Sequence, residues 1–119
     1  MPWVVEHTDE FEAWFDSLSE KEQEDVYASG LLLEERGPSL RFPMCSGVSG
    51  SRHDHMRELR IQSGGLPIRV FYAFDPRRAA ILLIGGGKVG NDRFYSQMIP
   101  VADDLYDAHL SELRREKLI

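Results

Sequence analysis

Residues 67–75, PIRVFYAFD, alternate strictly. Ile68, Val70, Tyr72 and Phe74 fall on one side, and Arg69, Phe71 and Ala73 on the other. Period two in β-branched and aromatic residues is the signature of a strand. The stretch does not stand alone. MRELRIQ, 56–62, alternates before it, and AAILLI, 79–84, is apolar throughout, as a central strand covered on both faces requires. Ser63-Gly64-Gly65-Leu66 reads as a hairpin loop and Asp75-Pro76-Arg77-Arg78 as a second turn. Strands joined this tightly are antiparallel neighbours, because a parallel pair needs a crossover of a dozen residues or more.

The flanks read as helix. Trp3-Val4-Val5 is a short β-like start; Thr8 or Asp9 then caps a helix, with Phe11, Trp14, Phe15 and Leu18 at i, i+3, i+4 and i+7. Ser19, with Glu22 three residues on, opens a second helix that Gly37-Pro38 stops. Residues 37–53, rich in Gly, Pro and Ser, form a connector with a brief extended piece. Ala102, Leu105, Tyr106, His109, Leu110 and Leu113 make one stripe of a C-terminal helix, with Pro100 suited to its first turn. The expected architecture is α+β: a small antiparallel sheet packed against two N-terminal helices, with a C-terminal helix, in one domain spanning 1–119.

Charge is unevenly placed. Residues 6–35 hold eleven acids against Lys21 alone, whereas residues 36–93 carry an excess of Lys and Arg. The net charge of −6 therefore hides a mildly basic middle, and local charge is what a phosphate feels. The N-terminus has no basic segment ahead of an apolar run, and no apolar stretch approaches the roughly 20 residues that span a bilayer. The single cysteine, Cys45, has no internal disulfide partner. A cytoplasmic location is expected.

Gly85-Gly86-Gly87-Lys88-Val89-Gly90 spells G-x-G-x-x-G after an apolar run. A dinucleotide site needs this motif in the first turn of a βαβ unit, and only 29 residues come after Gly90, all reading as helix. The phosphate-binding P-loop fails too, since Val89 stands where a hydroxyl must hold magnesium. His53-Asp54-His55 with Cys45 matches no standard zinc spacing and reads as a solvated loop. No cofactor and no metal is expected. The glycines are instead expected to end the strand at Gly85 and let Lys88 swing off it.

The hairpin register sets Arg60 opposite Arg69, on one sheet face. Two opposed arginines repel unless carboxylates such as Glu58, or a bound anion, lie between them. Arg57 points to the other side of its strand by period two. With Lys88, Asn91, Arg93 and Tyr95 at the rim, the face is suited to a phosphodiester, which guanidinium forks grip bidentately.

The series "MRELR…IRVFYAFD…AILLIGGGKVGNDRFY…IPVADDLYDAHL" behind two acidic helices resembles the RelE/ParE superfamily of bacterial toxins, and more narrowly its HigB-like, phage-derived branch. That resemblance implies a RelE-like, microbial-RNase-like fold. It implies the toxin of a type II toxin–antitoxin system: a metal-independent endoribonuclease that cuts mRNA on the ribosome and inhibits translation. The substrate's own 2′-hydroxyl would attack, leaving a 2′,3′-cyclic phosphate. The implied partners are the ribosome, mRNA and a cognate antitoxin with a helix-turn-helix domain, which alone meets operator DNA. Carried over by position, Arg60, Arg69, Lys88 and Tyr95 form the catalytic set; Arg57, Asn91 and Arg93, not carried over from the family, are the further expected RNA contacts. Val89 departs from the arginine that comes directly after this lysine in several such nucleases. The alternatives are a gyrase-binding toxin of the ParE kind without nuclease chemistry, or a degenerate toxin acting as an antitoxin-binding co-repressor.

Overall fold

The structure is a computed structural model that describes residues 2–90 and 92–119. Five strands, β1 (Val5–His7), β2 (Cys45–Gly47), β3 (Arg57–Ser63), β4 (Leu66–Phe74) and β5 (Ala80–Gly87), form one sheet in the order β1-β5-β4-β3-β2. Helices α1 (Asp9–Asp16) and α2 (Glu20–Arg36) cover one face, and α3 (Phe94–Arg115) covers the other. This is the expected α+β class. The sheet is not wholly antiparallel, however. β1 lies two residues later than expected and pairs parallel with β5, Val5 beside Ala80 and His7 beside Leu82. The intervening helices and strands supply the crossover that a parallel pair requires.

β4 sits in the middle of the sheet, and its alternation sorts the two cores. Ile68, Val70 and Tyr72 pack toward α1 and α2 with Phe11, Val26 and Leu33. Phe71 and Ala73 pack toward α3 with Phe94, Ile99, Ala102 and Tyr106. The hairpin register is the expected one, Arg60 opposite Arg69 and Gln62 opposite Pro67. Gly64 and Gly65 take φ of 57° and 82°, the double left-handed turn that suits strand twist.

The helix ends agree closely with the sequence. Thr8, rather than Asp9, is the cap of α1: its hydroxyl oxygen accepts from the Phe11 N–H and its O–H donates to the Leu83 carbonyl. Ser19 and Glu22 close a reciprocal capping box on α2. The connector between α2 and β3 is pinned to α3, since buried Asp103 accepts from the Ser51 hydroxyl at 2.5 Å and the Arg52 N–H at 2.9 Å.

Two expectations fail around the glycines. β5 does not end at Gly85. It runs to Gly87, pairing Gly85 with Val70 and Gly86 with Arg69. A register shift opposite Phe71/Tyr72 leaves Leu83 as an extra residue and reverses the facing of the strand beyond it. Gly85 thereby meets the α1 side, where an added Cβ would stand 2.4 Å from the Trp14 ring; Gly86 meets the α3 side, 3.1 Å from Phe94. The first two glycines admit aromatic rings, not a ligand. The second failure is α3, which starts at Phe94, so that Pro100 lies inside it. Packing of Phe94 and Ile99 on the sheet holds a first turn that the proline does not signal.

Candidate functional site

Period two places Glu58, Arg60 and Arg69 on the sheet face that α3 covers, and the start of α3 brings Tyr95 to them. The residue that organises this group is Glu58, 4% exposed. Its carboxylate accepts from the Tyr95 hydroxyl, at 2.8 Å to Oε1 and 3.1 Å to Oε2. It also accepts from the Ser46 hydroxyl at 3.0 Å. Arg69 Nε stands 3.7 Å from Glu58 Oε1, close enough for ionic attraction but too far for a hydrogen bond. That Nε is buried without a hydrogen-bond partner, while Nη1 donates to the Ile68 carbonyl at 3.1 Å.

Lys88 lies just beyond β5. Its backbone N–H donates to the Pro67 carbonyl at 2.9 Å, and its ammonium rests 5.0 Å from the centre of the Tyr95 ring. The tyrosine thus touches Glu58 through its hydroxyl and Lys88 through its ring face. Burial raises the Tyr95 pKa from its ordinary 10.0, the hydrogen bond to the Glu58 carboxylate raises it further, and nearby Arg69 offsets part of the rise. The phenol therefore keeps its proton at neutral pH and is a proton donor.

Arg60 does not share Arg69's burial. It is half-buried, with its guanidinium 5.1 Å from the centre of the Phe42 ring. The opposed arginines accordingly part company, Arg69 toward Glu58 and Arg60 toward an aromatic ring. Arg69 lies against the Glu58 carboxylate, Lys88 against the Tyr95 ring and Arg60 opposite Arg69 in the register, and of the group Arg60, Lys88 and Tyr95 keep partial access to solvent. The arrangement can hold an anion and supply a proton beside it.

The remaining candidates are dispersed. Arg57 points through the sheet to the other face, where its Nη2 donates to the Cys45 sulfur at 3.3 Å. Arg93 is the exposed residue at the N-cap of α3, its carbonyl accepting from the Gln97 N–H. Asn91 lies outside the described residues. His53 and His55 serve the far end of α3: His53 Nε2 lies 2.8 Å from Asp107 and His55 Nε2 3.2 Å from the Tyr106 hydroxyl. Glu58 and Ser46 are site residues that the sequence pattern did not assign. Glu58 had a signal, since it precedes Arg60 by two and so shares its face; Ser46 had none, because a three-residue strand in a Gly/Ser-rich connector has no readable period.

A family profile described as phage derived protein Gp49-like matches residues 13–107. The chain belongs to the Gp49-like family. Two Mycobacterium tuberculosis (strain ATCC 25618 / H37Rv) proteins that carry the provisional names toxin HigB2 and toxin HigB3 are similar to it. HigB2 is 38% identical over 117 residues, 97% of this chain, and the alignment spans 58% of HigB2's own length. HigB3 is 44% identical over 93 residues, 77% of this chain and 80% of HigB3. The match to the Gp49-like family takes in Glu58, Arg69, Lys88 and Tyr95 together.

Proposed function

We propose that this Gp49-like chain is the toxin of a type II toxin–antitoxin pair and acts in the cytoplasm as a metal-independent endoribonuclease on ribosome-bound mRNA, held in check by a cognate helix-turn-helix antitoxin. The observation that carries this reading is the chain of contacts Arg69–Glu58–Tyr95–Lys88, with Arg60 alongside. The names of the two mycobacterial relatives support its toxin part.

In this reading Lys88 and Arg60 meet the nonbridging oxygens of the scissile phosphate and stabilise the charge that grows there. The 2′-hydroxyl oxygen bonds to phosphorus and the bond from phosphorus to the 5′ oxygen breaks. The products are a 2′,3′-cyclic phosphate and a free 5′-hydroxyl. Tyr95, protonated at neutral pH, donates to the departing 5′ oxygen, and Glu58 orients the phenol and stands ready to receive the proton that the 2′-hydroxyl loses. Buried Arg69, 3.7 Å from the Glu58 carboxylate, is a positioning residue. Val89, 57% exposed, adds no charge beside Lys88.

Mapping mRNA 5′ ends after induction tests the proposal. Wild-type chain should produce new ends within translated messages and arrest growth, and Lys88→Ala should do neither while remaining folded. DNA breaks without new mRNA ends would point to gyrase instead. Absence of growth arrest together with operon repression would point to a co-repressor.

A further inference from the structure

The chain has 20 Asp and Glu against 14 Lys and Arg, so an arginine has no shortage of carboxylates. Several take them: Arg52 pairs with Asp104 and Asp107, and Arg77 with Asp75 and Glu6. Arg41, Arg57, Arg60 and Arg78 do not. Arg60 stacks on Phe42, Arg78 lies 6.0 Å from the Trp3 ring, Arg57 meets the Cys45 thiol, and Arg41 projects into solvent; among the described residues none of these four touches a carboxylate. Arg41, His55 and Arg57 line a cleft of about 260 Å³ together with Pro38, Leu40 and Phe74. Among the described residues no acid lines that cleft. Next to Arg41 in the chain, Phe42 is 70% exposed, with the Arg60 guanidinium 5.1 Å from its ring centre.

Guanidinium groups without a carboxylate partner, among apolar side chains and near an exposed ring, are what a single nucleic-acid strand needs: cations for its phosphates and a platform for a base. β3 carries both this cleft and the Glu58 group, on opposite faces, with Arg57 toward one and Glu58 and Arg60 toward the other. Outside β3 lies the three-residue β2, which pairs with Arg57, Glu58 and Leu59, and the Met44 carbonyl just before it accepts from the Arg60 N–H at 2.9 Å. We propose that the Arg41/His55/Arg57 cleft, with Phe42 as its stacking platform, binds the phosphodiester backbone of a single RNA strand away from the Lys88 site. The strand's identity as RNA rests on the function proposed above.

The test is fluorescence anisotropy of the full chain with a labelled 12-nucleotide strand that is 2′-O-methylated throughout. Such a strand cannot be cut, so binding is read whether or not the chain is a nuclease. The doubly changed Arg41→Gln/Arg57→Gln chain should bind about tenfold or more weakly, and its log K against log salt slope should be shallower by about 1.4, two phosphate contacts at about 0.7 each. Phe42→Ala should weaken binding about tenfold with the slope unchanged. Arg41 and Phe42 are exposed, so Arg41→Gln/Phe42→Ala repeats the test without disturbing the Cys45 contact. Wild-type affinity and slope in both double variants overturn the proposal, as does an absence of strand binding at about 50 mM salt. Inorganic phosphate that binds with the same dependence on Arg41 and Arg57, while the strand ignores Phe42, marks a lone anion pocket and overturns it too. If mRNA mapping shows no cleavage but strand binding depends on these residues, the nuclease reading fails and the cleft stands.

Discussion

Two buried carboxylates under α3 are treated in opposite ways. Asp75, with no side-chain exposure, is closed on every side. Arg77 donates to it from its backbone N–H at 2.8 Å, from Nη2 at 2.8 Å and from Nε at 3.2 Å, and His109 lies 2.8 Å away. Arg77 then reaches on to Glu6 at 2.7 Å, joining the turn to β1. Glu58, among the described residues, has hydroxyl donors alone within hydrogen-bond reach, and its arginine stops at 3.7 Å with Nε unpaired. A carboxylate whose partners are all in place serves the fold. One whose arginine is left incomplete, beside a lysine on a tyrosine ring, is the one to which the proposed function assigns chemistry. The contrast separates a closed carboxylate from an incompletely paired one within the same sheet.

The largest expected effect breaks the structural half. Asp75→Ala leaves Arg77 and His109 facing an empty position, and should lower unfolding free energy by about 3 kcal/mol, the low end for a broken buried pair because Arg77 is a quarter exposed. Denaturant titration checks this, and RNA cleavage per folded molecule should be unchanged. The same carboxylate sets an acid limit. Burial pushes the Asp75 pKa up, but the hydrogen bonds from Arg77 and His109 together outweigh it and hold the group below its ordinary 3.8. Its stabilisation is therefore fully present above that value and disappears as pH falls through the lowered one, an acid limb that Asp75→Asn should lack.

On the chemical half, Lys88→Ala should cut RNA cleavage about 10²- to 10³-fold, roughly 2.7–4 kcal/mol of lost transition-state stabilisation, with the thermal midpoint little moved. Single-turnover cleavage on purified ribosomes measures it. A variant as active as wild type would end the proposed role. Tyr95→Phe should cost about 10²-fold in rate. Its effect on stability should be only about 1 kcal/mol, the net value of one hydrogen bond. A loss of stability well beyond that would move Tyr95 to Asp75's side of the comparison.

Gly85→Ala asks whether the glycine motif belongs to either half. The new Cβ meets Trp14 at 2.4 Å, and overpacking should cost about 1–3 kcal/mol while cleavage per folded molecule stays near wild type. Gly86→Ala, with its nearest contact at 3.1 Å to Phe94, should cost less. Smallest is the alkaline effect. The raised Tyr95 pKa favours the folded state below pH 10.0, and that contribution is lost as pH climbs through the folded value. Tyr95→Phe should flatten the alkaline limb of stability.

Alternation and turn chemistry made much of this molecule readable. Period two in β4 assigned each residue to its core, and Gly64-Gly65 set the register that opposes Arg60 and Arg69. Ser19 with Glu22 marked the start of α2. These are short-range effects, decided by residues within a few positions of one another. AAILLI concealed its extra residue at Leu83, because a run apolar on both faces has no polar position to reveal a change of phase. From that hidden shift came the wrong role for the glycines.

The chain's own order of residues determined the elements, their caps and the hairpin pairing, since local sterics and hydrogen bonding act along the backbone before any packing. Only the tertiary structure decided that Gly85 shelters Trp14, that α3 starts at Phe94, and that of two opposed arginines one is buried against Glu58 while the other turns to Phe42. Each depends on a partner far away in the chain, or on burial that two identical side chains do not share.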